Sequence, residues 1–302
     1  MISHPTVFII AGPTAVGKTS AAIRLAQQLG TEIISADSRQ CFRELDIGVA
    51  RPSVEELQTV QHYFIGSHSI QEEVTAATFE TMALEWTQQI FGKTKSNAVV
   101  MVGGTGLYIK AFAEGLDAIP DIDPAIRSQI QQDYATNGLA WLQHEVETRD
   151  PAFYQVGEIL NPQRLMRALE VQISTGRSIL TWRTHNKKRR PFDIRQIGLR
   201  LPKELLHQRI HDRVDSMMKE GLLAEVESLL PYRDNNALQT VGYRELFDYF
   251  DNKCTLDHAV EEIKKNTRHY AKRQLTWFAR NPDMQWFDAR EFSIDPVASG
   301  KI

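Results

Sequence analysis

The glycine-framed segment at residues 12–19 constrains the fold of this chain more than any other feature. It reads GPTAVGKT, which matches the pattern G-x-x-x-x-G-K-[ST] in full, and it follows the short apolar run Thr6–Ala11. In this pattern the glycines let backbone N–H groups converge on phosphate oxygens, the lysine adds a positive charge and the hydroxyl suits Mg²⁺. We therefore expect a strand, a phosphate-binding loop and a helix in that order, with Thr19 as the magnesium ligand.

Short apolar strands and amphipathic helices alternate after this loop. Strands are predicted at 32–36 and 98–102, and helices at 20–29, closed by Gly30, and at 78–91. Such alternation builds a parallel sheet with helices on both faces. We predict an α/β fold in which a parallel sheet like that of the P-loop nucleoside triphosphatases is flanked by helices.

The pattern becomes mainly helical between residues 120 and 191. Helices are predicted there at 124–134, 139–148 and 162–175. A returning strand is predicted at 194–201, followed by helices at 204–230, with a break at Gly221, and at 256–279. We interpret 120–191 as a helical insertion domain within a core formed by 1–119 and 192–302.

The charges are distributed unevenly along the chain, although the net charge is only −3. Eight lysines and arginines and one acidic residue lie between 163 and 190, and six basic residues and no acidic one lie between 264 and 280. Two basic windows in an otherwise acidic chain favour a polyanionic partner larger than a nucleotide. The alternative for each window is a solvated helix face.

Composition and cysteine content exclude several classes of protein. With 42% apolar and 24% charged residues the chain is neither disordered nor fibrous. Cys41 and Cys254 lie far apart and form no CxxC pair, which indicates neither a disulfide framework nor a zinc site. No apolar run reaches the length that spans a bilayer and no basic leader precedes the first strand, so we expect a cytoplasmic protein without membrane contact. No obligate apolar seam is visible, which favours a monomer.

The acidic residue that holds magnesium in many phosphate-loop enzymes is missing from its expected place. An apolar strand ends in such an aspartate in those enzymes, but the run at 98–102 is followed by GGTGLY. An aspartate follows the strand at 32–36 instead. Because the carboxyl ends of parallel strands border one crevice, Asp37 and Thr105 should both face the phosphate loop. The alternatives are a helix N-cap for Asp37 and an ordinary glycine-rich turn for Thr105.

Eight ordered stretches resemble the tRNA dimethylallyltransferase family over almost the whole chain. They are GPTAVGKT at 12–19, SADSRQ at 35–40, DIGVARP at 46–52, VGGTGLYIKA at 102–111, NPQRLMRALEV at 161–171, LHQRIHDRVDSMMKEGLLAEV at 206–226, QTVGYRE at 239–245 and AKRQLTWF at 271–278. The first stretch is generic, whereas the ordered set is specific. The resemblance implies a phosphate-loop fold that transfers a prenyl group.

The reaction that the resemblance implies joins a dimethylallyl group to the exocyclic amine of the adenosine 3′ of the anticodon, with dimethylallyl diphosphate as donor and Mg²⁺ as cofactor. The diphosphate would be held by Gly12, Pro13, Thr14, Ala15, Val16, Gly17, Lys18 and Thr19. Arg209 and Arg213 lie four residues apart on one helix face, and we expect at least one to contact the diphosphate. Their alternative is a surface face of ion pairs.

An adenine amine is a weak nucleophile, and its N–H needs an acceptor as the new C–N bond forms. The resemblance assigns Asp37 as the general base, and it implies that the Thr105 hydroxyl positions the amine or Asp37. No histidine or cysteine is assigned a catalytic role.

The target base must leave a stacked RNA loop to reach the crevice, and the resemblance also supplies the residues that would hold the RNA. They are Asp37, Ser38, Arg39, Gln40, Thr105, Arg127, Gln163, Arg164, Leu165, Met166, Arg167, Gln239, Gly242, Tyr243, Arg244, Lys272, Arg273, Gln274 and Trp277. The run RTHNKKRR at 183–190 either clamps the anticodon stem or is a solvated linker.

Some positions depart from the family pattern. The family usually has Tyr where Phe42 stands, Thr-Ala-Lys-Pro where residues 49–52 read VARP, and Arg where Ala279 stands. Two other functions compete with prenyl transfer. The first is a P-loop kinase of a nucleotide or small metabolite, and the second is a non-catalytic RNA-binding module. The missing aspartate after residue 102 and the two basic windows argue against the kinase.

Overall fold

The strands and helices of the chain follow the alternation seen in the sequence. The structure is a computed structural model, and it describes residues 2, 4–184 and 186–298. The strands are β1 (Thr6–Ala11), β2 (Ile33–Ser35), β3 (His62–Tyr63), β4 (Ala98–Gly103), β5 (Asp193–Arg200) and β6 (Met284–Asp288). The helices are α1 (Lys18–Leu29), α2 (Val54–Thr59), α3 (Ala76–Lys93), α4 (Gly106–Glu114), α5 (Pro124–Arg149), α6 (Pro151–Val156), α7 (Pro162–Thr175), α8 (Lys203–Glu220), α9 (Leu222–Ser228), α10 (Tyr243–Phe250), α11 (Leu256–Phe278) and α12 (Asp295–Ala298).

All six strands form one parallel sheet in the order β3–β2–β4–β1–β5–β6. The strand that precedes the phosphate loop, β1, lies in the interior of the sheet between β4 and β5. Side chains of a strand point alternately to its two faces, and β1 is buried on both faces. Val7 and Ile9 belong to one hydrophobic core, and Phe8 and Ile10 belong to the other.

Helices cover both faces of this sheet. The core on one face includes Phe79 of α3, Leu246 of α10 and Ile263 of α11, and the core on the other includes Leu25 of α1 and Leu206 of α8. Full burial of each such side chain contributes about 1.5–3 kcal/mol to folding. The predicted α/β fold, a parallel sheet flanked by helices, is confirmed.

The chain divides into two compact units. The first comprises Met1–Ala113 and Arg189–Ile302 and contains the sheet. The second, Glu114–Lys188, is helical and has its own core, in which α5 packs against α7. The two helices predicted at 124–134 and 139–148 form α5, which is interrupted at Gly138, where φ is 73°. Within residues 2, 4–184 and 186–298 no helix is both long and apolar enough to cross a bilayer.

The carboxyl ends of three neighbouring strands meet at the phosphate loop. The Ala36 N–H, just beyond β2, donates to the Val102 carbonyl of β4 at 2.7 Å, and the Thr105 N–H donates to the Ala36 carbonyl at 3.2 Å. A Cβ on Gly103 would lie 2.1 Å from the same carbonyl oxygen, so only glycine permits this approach. The segments after β1, β2 and β4 are therefore fixed next to one another.

Candidate active site

The phosphate loop has the backbone geometry that its glycines predict. Gly12 has a φ of 150°, and a Cβ there would lie 2.5 Å from the Leu199 carbonyl oxygen of β5. Gly17 has a φ of 99° and is the N-cap of α1, which begins at Lys18. The loop therefore turns directly into a helix N-terminus, where free N–H groups and the helix dipole favour an anion.

Lys18 lies folded against its own loop. Its ammonium donates a hydrogen bond to the Pro13 carbonyl at 2.7 Å. Burial lowers the pKa of Lys18 to about 7, the carboxylate of Asp37 acts in the opposite direction, and the charge of Arg213 lowers it further. A bound anion would restore the charge on this lysine, so the side chain is suited to a strongly charged ligand.

A cavity of about 160 Å³ adjoins the loop, and its lining combines polar and apolar residues. The charged and hydroxyl-bearing residues of the lining include Lys18, Thr19, Asp37 and Arg213. The apolar residues of the lining include Val49, Ile210, Val214, Met217, Leu222, Val241 and Ile263. A lining that offers both kinds of side chain suits a ligand with a charged head and a short hydrocarbon tail.

The two arginines of α8 are placed differently. Arg213 lines the cavity beside Lys18 and Thr19. The Arg209 guanidinium donates to the Val16 carbonyl at 3.4 Å, so it lies against the outer side of the loop. Neither arginine has an ion pair with an acidic side chain among the described residues, which argues against the alternative of a paired surface face.

Asp37 lies two residues beyond β2 and lines the cavity. Oδ1 accepts hydrogen bonds from the backbone N–H groups of Arg39 at 2.9 Å and Gln40 at 3.2 Å, which closes a turn. No helix begins here, so the alternative of a helix N-cap is wrong. One carboxylate oxygen therefore fixes the local backbone, and within the described residues the other accepts no hydrogen bond.

Thr105 contacts the residue that follows Asp37. Its Oγ1 accepts a hydrogen bond from the Ser38 N–H at 3.0 Å and donates to the Ser38 hydroxyl at 3.3 Å. The contact is with the residue after Asp37, because the turn that follows β4 meets the chain at Ser38. Thr105 orients the Asp37 segment through its backbone.

Two residues hold the loop at 46–50, which forms one wall of the cavity. The Glu225 carboxylate accepts hydrogen bonds from the N–H groups of residues 46, 47 and 48 at 2.7–3.2 Å, and from the Tyr243 hydroxyl at 2.6 Å. The Gln40 amide donates to the Val49 carbonyl at 3.3 Å and the Ala50 carbonyl at 2.9 Å. The sequence analysis did not identify Glu225, because nothing local indicates a contact with a loop nearly 180 residues away.

The departures at 42–52 have structural explanations. Phe42 is buried in the core, where a hydroxyl is not needed. Val49 lines the cavity, and the loop is held through backbone carbonyls. Arg51 donates to the carbonyls of Phe42 at 2.6 Å and Leu45 at 2.5 Å, so it braces the preceding turn. At the other departure Ala279 is the C-cap of α11 and is exposed.

A second, wider cavity of about 800 Å³ adjoins the Asp37 segment. Five of the predicted RNA-binding residues line it, namely Ser38, Arg39, Gln239, Arg244 and Arg273. Arg39, Thr240, Val241 and Tyr270 line both cavities, so the two are neighbours. Burial and the charge of Asp37 raise the pKa of Tyr270 to about 12, which keeps its phenol neutral.

The basic window at 264–280 is partly paired. Lys264 contacts Asp215 at 2.8 Å and Lys265 contacts Glu262 at 3.0 Å, so these two charges are compensated within the protein. Lys272 and Arg273 are exposed near the end of α11. The Arg273 guanidinium lies over the Tyr270 ring at 5.7 Å.

Four other predicted RNA-binding residues are occupied by protein contacts. Tyr243 is buried, and its ring fits against Gly48, where a Cβ would meet it at 2.6 Å. Gly242 is buried and starts α10. A Cβ on Gly106 would lie 2.2 Å from the Trp277 indole. Gln274 is buried between two loops. Gly242 and Gln274 nevertheless line the cavity next to the phosphate loop.

The second unit holds the remaining predicted RNA-binding residues. Arg127 and Arg167 flank the buried Glu170 at 3.5 and 3.2 Å, and Arg164 contacts Glu158 at 2.7 Å. Gln163 is exposed at the start of α7. The other two, Leu165 and Met166, are 0% and 5% exposed in the core of this unit, so their side chains support the helix.

The basic run at 183–190 does not act as one surface. The guanidinium of Arg190 is buried, and it bonds Glu80 at 2.8 Å and two carbonyls of α4, which makes it a structural brace. Lys187 contacts Glu114 at 2.7 Å. His185 lies outside the described residues.

Few side chains of the site could coordinate a magnesium ion. Across residues 2, 4–184 and 186–298 no group of three or more histidine, cysteine or acidic side chains could hold a metal ion. The Thr19 hydroxyl lines the cavity beside Lys18. Mg²⁺ commonly binds through one or two protein groups, substrate phosphates and water, and this arrangement fits that pattern.

Comparison with known proteins matches this chain to one family over most of its length. The sequence model of the family described as IPP transferase matches residues 40–281. The tRNA dimethylallyltransferase of Flavobacterium psychrophilum is 48% identical over 285 residues, which cover 92% of each chain. That of Christiangramia forsetii is 46% identical over 94% of this chain and 93% of its own.

Solved structures agree with the sequence comparison. The tRNA isopentenylpyrophosphate transferase of Bacillus halodurans has a TM-score of 0.71 and 33% identity, over 98% of this chain and 94% of its own. A eukaryotic dimethylallyltransferase acting on tRNA has a TM-score of 0.76 and 26% identity, over 98% and 77%. From the geometry of the cavity and these relatives we conclude that the chain belongs to the IPP transferase family of tRNA dimethylallyltransferases.

Proposed function

We propose that this protein transfers a dimethylallyl group from dimethylallyl diphosphate to the N6 amine of the adenosine 3′-adjacent to the anticodon of tRNA, and releases diphosphate. The observation that carries the proposal is the lining of the cavity, which combines Lys18, Arg213 and Asp37 with several apolar side chains. Such a lining suits a ligand that has a diphosphate head and a hydrocarbon tail. Phosphoryl transfer by a kinase would leave these apolar side chains without a function.

The donor breaks its C–O bond and passes the allylic carbon to the amine. Positive charge develops on that carbon, and the departing diphosphate gains negative charge. Lys18, Arg213 and the N–H groups at the start of α1 stabilise the leaving anion. These groups act more strongly on the transition state than on the bound donor, which is the condition for accelerating the step.

The amine loses one proton as the C–N bond forms. In the proposal this proton passes to the Asp37 oxygen that holds no backbone N–H. The Thr105 hydroxyl keeps the Asp37 segment in place through Ser38. The reaction balances, since one C–N bond replaces one C–O bond, the proton goes to the carboxylate and the diphosphate leaves intact.

Mg²⁺ is the proposed cofactor. Thr19 and the diphosphate oxygens would hold it, and bound there it neutralises charge on the leaving group. The metal supplies no group of its own to the product. We therefore expect the protein to bind Mg²⁺ together with the diphosphate.

The proposed RNA partner is the anticodon stem-loop. The target base would enter through the wider cavity lined by Arg39, Arg244 and Arg273, and exposed Lys272 would contact phosphates nearby. In the second unit, Arg127, Gln163, Arg164 and Arg167 are the proposed RNA contacts. We further propose that the protein acts as a monomer in the cytoplasm, where tRNA is processed.

A labelled-donor experiment tests the function. The purified protein is incubated with Mg²⁺, an anticodon stem-loop and either dimethylallyl diphosphate labelled on carbon or ATP labelled on the γ-phosphate. The proposal predicts label in RNA from the first donor only. Label from ATP in the RNA or in a small metabolite would replace the proposal with the kinase, and RNA binding without any transfer would support the binding module.

A further inference from the structure

We infer that Gln274 is a positioning residue that sets the distance between the donor loop and the base-binding turn. The inference rests on the proposed function and assigns Gln274 a role other than RNA contact. Gln274 belongs to α11 and is 6% exposed. Its Oε1 accepts a hydrogen bond from the Thr14 N–H at 2.8 Å, and its Nε2 donates to the Gly104 carbonyl at 2.9 Å.

The two backbone groups that Gln274 contacts lie in the two segments that position the two substrates. Thr14 lies in the middle of the phosphate loop, which holds the donor. Gly104 precedes Thr105, which is bonded to the Ser38 N–H beside the general base. One side chain therefore spans the parts of the site that carry the leaving group and the amine.

The fit between Gln274 and the turn is close. A Cβ on Gly104 would lie 2.2 Å from the Gln274 Nε2 atom, so a side chain at position 104 would displace the amide. A buried amide offers one acceptor and two donor hydrogens, and here the acceptor and a donor are used on opposite loops. The glycine is needed for the contact as much as the glutamine is.

The contact also decides which amides of the loop are available for phosphate. The Thr14 N–H points to Gln274, so it is not directed at the ligand. The N–H groups that remain for the diphosphate lie after it, towards Gly17 and the start of α1. Without the glutamine the loop would gain a free N–H and lose its fixed spacing from the turn.

Displacement requires the attacking nitrogen and the allylic carbon to be about 3–3.5 Å apart and aligned, and an error of 1 Å costs about 10²-fold in rate. Loss of the Gln274 contacts loosens this spacing, while Lys18, Arg213 and Asp37 remain in the site. The expected effect is a lower rate constant for transfer with unchanged binding of donor and RNA.

The test compares Gln274→Met, which keeps the volume of the side chain and removes both hydrogen bonds, with wild type and with Gln27→Met. Gln27 is exposed on α1, and its variant controls for the substitution itself. We expect Gln274→Met to lower the single-turnover rate about 10²-fold at saturating donor and RNA, with KM and RNA affinity within about 3-fold of wild type. An unchanged rate, or a loss that saturating substrates restore, would overturn the assignment.

A second pair of variants keeps the test valid if Gln274→Met is unstable. Gly104→Ala should be as harmful as Gln274→Ala, because its methyl displaces the same amide. In the double variant the methyl meets empty space, so the two losses should not multiply. Multiplying losses would show that the two residues act independently and would contradict the inference.

Hydrogen exchange of the peptide that contains residues 12–19 measures the contact without any substrate. Gln274→Met should speed exchange at this peptide, because the Thr14 N–H loses its acceptor, and Gln27→Met should not. A wild-type protein that lacks transferase activity refutes the proposed function, whereas unchanged exchange refutes the role of Gln274. The two failures are therefore distinguishable.

Discussion

Replacing Asp37 by asparagine separates the two tasks of this carboxylate. Oδ1 closes the turn by accepting from Arg39 and Gln40, and an asparagine Oδ1 can accept the same two hydrogen bonds. The other oxygen becomes an NH₂ group, which cannot take a proton from the amine. We expect the single-turnover rate to fall about 10²–10⁴-fold, the range that general-base catalysis contributes.

Stability distinguishes this variant from Asp37→Ala. Alanine also removes both hydrogen bonds of the turn, which at about 0.5–1.5 kcal/mol each predicts a loss of about 1–3 kcal/mol. Asparagine should leave the free energy of unfolding nearly unchanged. Rapid-quench kinetics at saturating substrates and urea unfolding measure the two quantities, with anticodon stem-loop affinity as a control. An Asp37→Asn enzyme within a few-fold of the wild-type rate would refute the general-base role.

Three further predictions concern a thiol, a buried ion pair and a phosphate contact. A disulfide reagent at about pH 8 should label Cys254 in the native protein and Cys41 only after unfolding, because burial raises the pKa of Cys41 to about 12 and the thiolate is the reactive form. Arg190→Met should cost about 3–5 kcal/mol in urea unfolding, since it removes one partner of a buried ion pair and the donor to two carbonyls of α4. Lys272→Ala should weaken RNA binding and reduce its salt slope by about one phosphate contact, whereas Lys265→Ala should change the slope less because Glu262 already pairs with it.

Each of these has an outcome that contradicts it. Rapid labelling of Cys41 in the folded protein would show that its site opens or is more polar than described. The contribution of Cys41 to the free energy of unfolding also depends on pH with a defined sign. Because the pKa of this thiol is higher in the folded protein, the contribution is fully present below about pH 9 and declines as the pH rises towards 12. A loss below 1 kcal/mol for Arg190→Met would contradict the role of Arg190 as a structural brace. A salt slope of Lys272→Ala that equals the wild-type slope would remove Lys272 from the interface.

Local sequence signals predicted the elements that carry the strongest patterns. The strand Thr6–Ala11, the loop and the helix after it were found because glycine spacing and apolar periodicity are local properties. The break at Gly221 was likewise predicted, and there φ is 107° between α8 and α9. The strands β3 and β6 were missed, since one has two residues and the other lies at the edge of the sheet with a mixed pattern.

The candidate site was only partly predictable, because its internal contacts join distant parts of the chain. Strand order placed Asp37 and Thr105 near the loop, but it could not show that Thr105 is hydrogen-bonded to Ser38. Charge counts along α11 overstated the free positive charge, since Lys264 and Lys265 have acidic partners. A buried glutamine 260 positions from its partner Thr14 has no signature in the sequence.

The most direct test of the proposed reaction is mass analysis of nucleosides after the purified protein has acted on tRNA with dimethylallyl diphosphate and Mg²⁺, combined with a count of the diphosphate released. The proposal predicts one C₅H₈ unit on N6 of the adenosine that follows the anticodon, and one intact diphosphate per modified base. Unmodified adenosine alongside hydrolysed donor, or orthophosphate released from a nucleoside triphosphate, would contradict it.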